Sequence, residues 1–221
     1  MDQAQLVEVA AAAVWFLCGL CDLWGGKVLT AKIAKSAKKC VLRWRVVMAA
    51  KKRQVKVLAP KPSRPLMPGY GLPTTKDGLL PWKWAEQRLR KSHNYWITTV
   101  KPDGSPHTMV VWGLWVDGAF LFSTGRLSRK ARNLAENPNC VVCTEDAHEA
   151  VIVEGKAVLA DVPARRDFLK KYQPKYSFDM SSMEKDILSM KEPVFAVHPR
   201  VAFGLSEKKF IGSATRWKFV T

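Results

Sequence analysis

Hydrophobic positions recur along this chain with two different periods, and the changes of period mark out its elements. Residues 29–47 place Leu29, Ile33, Ala37, Cys40, Trp44 and Val47 three or four apart, with lysines and arginines on the other faces. That spacing predicts a basic amphipathic helix. Ahead of it, residues 6–24 form an alanine-rich apolar run interrupted by Glu8 and closed by Asp22 and two glycines. Its uninterrupted part, residues 9–21, is shorter than the about 20 apolar residues a membrane span requires. No positive segment precedes it, so a secretory signal is not expected. Pro60, Pro62, Pro65 and Pro68 then predict a stiff linker, and a domain boundary is placed between residues 66 and 67.

Beyond the boundary the period shortens to two. A helix is predicted over 82–91, opened by Pro81 and carrying Trp82, Ala85 and Leu89 on one face. Strands follow over 95–100 and 107–116. The second is apolar on both alternations, so burial on both faces is expected. Asp117-Gly118 predicts a tight hairpin, with the return strand over 119–123. A helix from Ser128 ends at Asn137-Pro138, and strands cover 140–144 and 150–159. Helices are expected over 163–172 and 183–190, and strands over 194–205 and 209–219 close the chain. Strands outnumber helices and the turns are short. The expected fold is therefore mainly β with flanking helices, a six-stranded antiparallel sheet closed or partly closed into a barrel, preceded by a basic helical extension.

Charge sharpens this division. The 221 residues carry a formal net charge of +17. Residues 1–66 hold 13 Lys/Arg against 3 acids, and residues 67–221 hold 23 against 16. A basic field suits anionic partners in general, whether phosphate cofactors, nucleic acid or anionic lipid. The amphipathic pattern of residues 27–64 fits membrane-surface contact, and nucleic acid is the less favoured partner. A cytoplasmic protein is expected.

The helix from Ser128 has its charge reversed. Arg129, Lys130 and Arg132 crowd its first turn behind Arg126, while its first acid, Glu136, stands at the far end. The macrodipole favours acids first and bases last by a few tenths to about 1 kcal/mol per charge. An anion at the N-terminus, held by backbone N–H groups, a hydroxyl and the basic side chains, would account for the reversal. A plain N-cap with a solvated basic face is the alternative.

Other chemistry is sparse. Cys18/Cys21 and Cys140/Cys143 have Cys-x-x-Cys spacing, but the second pair lies in a strand-like run, where residues three apart face opposite ways. Buried thiols are expected, not a zinc site. His93, His107, His148 and His198 show no ligand spacing, and no glycine-rich dinucleotide fingerprint occurs.

The run from Thr98 to Asn139, with its strand–hairpin–strand–basic helix order, resembles the pyridoxamine-phosphate-oxidase-like FMN-binding split-barrel family. PWKWAEQRL, the PH-x-x-VVW segment, VIVEGKA, KY and the closing SATRWKF resemble its flavin/deazaflavin oxidoreductase branch. The similarity covers about residues 78–219 and none of 1–66. It implies a homodimer with cofactor bound at the subunit interface. Carried onto this sequence, it implies that Ser123, Thr124, Ser128, Arg129 and Lys130 contact the cofactor phosphate. His107 stands where a basic residue often lies. Val111 and Trp112 would line the ring, and Arg216 and Trp217 would close the site. Trp112 stands where pyridoxamine-phosphate oxidases carry a lysine, which sets this chain apart from that substrate.

The implied function is hydride transfer between the deazaflavin coenzyme F-420, or FMN, and a small unsaturated acceptor. The alternatives are a non-catalytic flavin- or haem-binding barrel, and an anionic-surface binder acting through the N-terminal segment.

Overall fold

A computed structural model describes residues 59–219. The expectations for the apolar run, the amphipathic helix and the Cys18/Cys21 pair lie outside the described residues.

Among the described residues, nine strands form one antiparallel sheet. In chain order they are β1 (Pro62–Ser63), β2 (Tyr95–Val100), β3 (Pro106–Val111), β4 (Leu114–Val116), β5 (Ala119–Ser123), β6 (Asn139–Thr144), β7 (Glu149–Leu159), β8 (Val194–Ser206) and β9 (Thr215–Lys218). Six of the expected strands are present as the long ones; β4 is the second half of the strand expected over 107–116, β9 is what remains of the one expected over 209–219, and the two-residue β1 alone was not expected. The main path runs β1-β9-β8-β7-β6-β2-β3. It branches at β8, whose first residues pair with β5 (Phe122↔Phe195) and whose later residues pair with β9 (Ala202↔Trp217). This branching splits the barrel: β7 follows β8 along its whole length, while the opposite edge is shared between two short partners.

Helices α1 (Trp82–Lys91), α2 (Arg129–Glu136), α3 (Val162–Tyr176), α4 (Ser181–Leu188) and the single turn α5 (Phe210–Ser213) flank the sheet. Two cores result from strand alternation. Tyr95, Ile97, Trp115, Phe120, Phe122, Val142, Val153 and Trp217 fill the barrel, closed at one end by Ala85 and Leu89 of α1. Leu114, Val116 and Leu121, on the other face of β4 and β5, pack against Phe168, Tyr172 and Tyr176 of α3 and Ile187 of α4. Arg165 is fully buried in that layer and donates to the carbonyls of Ala160, Ile187 and Glu192, each at 2.8 Å.

Three departures from the sequence expectation have physical causes. The strand expected over 107–116 is interrupted at Trp112-Gly113, and its first half is largely exposed. Of that expected strand, the β4 part is the one buried on both faces. The interruption occurs where Gly113 crosses Phe120 so closely that a Cβ there would lie 2.2 Å from the ring. At the C-terminus, residues 207–213 coil into a 3₁₀ turn and α5 instead of extending, and the strand is only β9. The buried Ser213 hydroxyl fixes that coil by accepting from Ser206 N–H and donating to a nearby carbonyl. Finally, part of the expected linker joins the sheet as β1, pairing Pro62 with Trp217 and Ser63 with Arg216.

Candidate functional site

Gly125 turns the chain out of β5, and its carbonyl accepts from Ser128 N–H at 2.9 Å. Ser128 caps α2: its Oγ accepts from Ala131 N–H at 3.2 Å and lies 3.1 Å from the Thr124 hydroxyl. The first turn of α2 holds no acid. Arg129 is exposed and Lys130 half-buried, and neither side chain has an ion-pair or hydrogen-bond partner among the described residues. Burial without a compensating charge pulls the Lys130 amine below its ordinary range. Nearby, the Ser123 hydroxyl donates to Pro193 O at 3.2 Å, and Arg126 N–H donates to the Glu192 carboxylate at 3.3 Å.

The far half of α2 reaches the β2–β3 pair. Asn133, buried to 1% exposure, donates to Thr99 Oγ1 at 2.9 Å, and the Thr99 hydroxyl donates to His107 O at 3.3 Å. Asn133 Oδ1 and His107 Nδ1 are both buried without a hydrogen-bond partner among the described residues. Buried polar atoms are rarely left so. Sequence reasoning singled out His107 but missed Asn133, whose only signal was a polar residue on the apolar face of α2.

The other expected residues lie elsewhere. Val111 is buried in the barrel core. Trp112 is five residues along from His107, about 16 Å at strand rise. Its indole stacks on Tyr176, and its Nε1 donates to Asn94 Oδ1 at 3.1 Å. Trp217 is fully buried in the barrel, its ring 5.4 Å from that of Trp82. Arg216 donates from Nε to Ser63 Oγ at 3.3 Å. Both belong to the β9 end of β8, pairing with Ala202 and Phe203, eight and nine residues from Val194, the partner of Ser123, or about 26–30 Å along the strand. The structure thus gathers Ser123, Thr124, Ser128, Arg129 and Lys130 at one turn, and brings neither Trp112 nor the Arg216–Trp217 pair to it.

Around Trp112 a second constellation forms that the sequence did not reveal. Tyr176 Oη accepts from Gly113 N–H at 2.8 Å and faces the carbonyls of Gly113 (2.7 Å) and His93 (2.9 Å). Lys175 Nζ donates to Tyr95 Oη at 2.8 Å and to Gly113 O at 3.0 Å. Burial pulls the Lys175 amine down to about 8, with Glu145 opposing weakly from a distance, and pushes the Tyr95 and Tyr176 phenols up. The KY pair carried the resemblance, but its contacts across the barrel mouth depend on tertiary structure.

Split sheet, flanking helices and capped basic turn define a pyridoxamine-phosphate-oxidase-like split barrel. The sequence profile of pyridoxamine 5'-phosphate oxidase matches residues 82–200, and the chain belongs to that family. No curated protein matches it. Among solved structures, a conserved hypothetical protein from Mycobacterium tuberculosis is 21% identical, with a TM-score of 0.52, over 60% of this chain and 89% of that one. An F420 reductase is 20% identical with a TM-score of 0.44, over 53% and 94%. A haem storage protein from Vibrio cholerae is 15% identical with a TM-score of 0.42, over 53% and 86%. Identities this low show the fold alone. Among the described residues, no helix is long and apolar enough to cross a membrane.

Proposed function

We propose that this chain is an oxidoreductase that uses the deazaflavin coenzyme F-420, or FMN, to reduce a small unsaturated acceptor. The observation that carries the reading is the turn at Ser128. It combines a capped helix start, two hydroxyls and two cations without a counter-charge, in a family of flavin-binding barrels. Those groups fit a phosphate: Arg129 and Lys130 offer charge-assisted donors, and the Thr124 hydroxyl a neutral one. His107 and Asn133, with their unpartnered polar atoms, suit the polar part of the same ligand. The cofactor supplies the hydride chemistry when bound, and the protein binds, orients and excludes water.

The same reading includes a homodimer. Val110, Trp96, Cys143, Ile152 and Phe203 are cross-strand neighbours running from β3 through β2, β6 and β7 to β8. Val110, Trp96 and Ile152 are exposed at 42%, 47% and 37%. A contiguous apolar strip of this kind marks an association surface. A second copy covering it would place the cofactor groove between subunits.

Titration of the purified protein with FMN and with coenzyme F-420, followed by fluorescence, tests the assignment. Arg129→Ala and Lys130→Ala should each weaken binding by about 1.5–3 kcal/mol, the range for hydrogen bonds to charged groups. Unchanged affinity in both variants would remove the turn from the binding site.

A further inference from the structure

Lys175 is a cation whose setting the cofactor turn does not explain. It is half-buried at the end of α3, yet its two hydrogen-bond acceptors, Tyr95 Oη and Gly113 O, are neutral. No carboxylate is within ion-pair distance of it among the described residues. An ammonium has three hydrogens to donate, so one remains unassigned. Its nitrogen also sits over two aromatic faces, 4.8 Å from the Tyr95 ring centre and 5.2 Å from that of Tyr176. A desolvated cation satisfied only by neutral groups is costly to keep, and titratable groups in such settings are concentrated at functional sites.

The surroundings indicate the shape of that ligand. Gly113, whose carbonyl receives Lys175, directly follows Trp112, and the Trp112 indole stays 38% exposed while stacked on Tyr176. Phe178, 45% exposed, stands edge-on to Trp112 with ring centres 6.2 Å apart. Large aromatic surfaces left open beside a donor suit a planar ligand.

We propose that Lys175 binds the oxygen of a planar conjugated carbonyl or carboxylate ligand, with Trp112 and Phe178 supplying its aromatic wall. The ligand's role as the hydride acceptor rests on the function proposed above, whereas its binding does not. The ionisable groups facing Lys175 are Tyr95 from β2, Tyr176 on its own helix, His93 through Tyr176, and Glu145 from the loop after β6. Of these only Glu145 bears a charge opposite to the amine near neutral pH.

The experiment is binding of 1-naphthoate and of uncharged 1-naphthamide to the protein without cofactor, followed by quenching of tryptophan fluorescence. Naphthoate should bind at least 10-fold more tightly than naphthamide at pH 7, and the preference should fade as pH rises through about 8. Lys175→Met should abolish the preference and Lys175→Arg should restore part of it. A second readout uses the unaltered protein: acetylation of each lysine, resolved by mass spectrometry, should slow several-fold at Lys175 alone when naphthoate is present. Equal affinity for the two probes, a preference that survives in Lys175→Met, or unprotected Lys175 would each overturn the proposal. Because no cofactor is added, these results are separable from a failed cofactor titration.

Discussion

The indole of Trp112 lies parallel to the phenol ring of Tyr176, with planes 7° apart and centres 4.9 Å apart. The contact fastens the chain where β3 breaks to the end of α3, and the Tyr176 hydroxyl completes it through the Gly113 backbone. Tyr176→Phe keeps the stack but leaves the buried Gly113 N–H without its acceptor. The expected loss is about 1–3 kcal/mol, read by urea denaturation. A variant as stable as the parent would show that water replaces the hydroxyl.

Gly113 is required by space, not by backbone conformation. A Cβ would meet the Phe120 ring at 2.2 Å and Leu121 O at 2.7 Å. Gly113→Ala should destabilise by about 1–3 kcal/mol, the usual range for overpacking. Adding Phe120→Leu should recover part of that loss if the ring is the obstacle.

At the helix cap, Ser128→Ala removes the acceptor for Ala131 N–H. Stability should fall by about 1 kcal/mol, seen as a lower thermal midpoint. Phosphate-bearing ligands should also bind more weakly, because the Thr124 hydroxyl loses the neighbour that orients it. A stability loss with unaltered ligand affinity would leave Ser128 as a cap alone.

Lys175 gives a pH signature of defined sign. Its folded amine titrates near 8, below the unfolded value of 10.5. Between those values the unfolded chain binds the extra proton, so stability rises with pH across the window. Compared with Lys175→Met, the parent should gain stability from pH 8 to 10. Above pH 10 the buried Tyr95 and Tyr176 phenols, pushed up by burial, reverse the trend. Matched urea titrations at several pH values would measure this, and a flat difference would contradict the lowered amine.

The apolar strip predicts self-association. Trp96→Glu places a charge in the middle of the row formed with Val110 and Cys143. Sedimentation should show a dimer for the parent and a monomer for the variant, with cofactor affinity falling in parallel. A parent that sediments as a monomer would exclude the dimer.

Much of this fold is legible in the chain because local signals agree with it. The Asp117-Gly118 hairpin, the alternation in residues 150–159 and the Ser128 cap are each set by neighbours in sequence, and each appears where the pattern places it. The turn at Ser128 could be found the same way, because its reversed charge is a local property. That Trp112 and Trp217 lie away from this turn could not be read from the chain, because a strand's period says which residues share a face, not what covers that face. Trp217 turns into the barrel, where Gly204 leaves room for its ring. Trp112 falls in the interruption that Phe120 forces. Lys175 was invisible as a site because its partners come from residues 95 and 113, far away in sequence.

Arg64 sets where a shortened protein can safely begin. Its guanidinium reaches four main-chain carbonyls, those of Thr75, Asp77, Gly212 and Ala214. Ser63 beside it pairs with Arg216. Cutting at the composition boundary near residue 67 would discard both and leave β9 with an unpaired edge, open to strand addition from another molecule. A soluble, crystallisable fragment should therefore start no later than Pro62, carrying with it part of the proline-rich stretch expected to be only a linker.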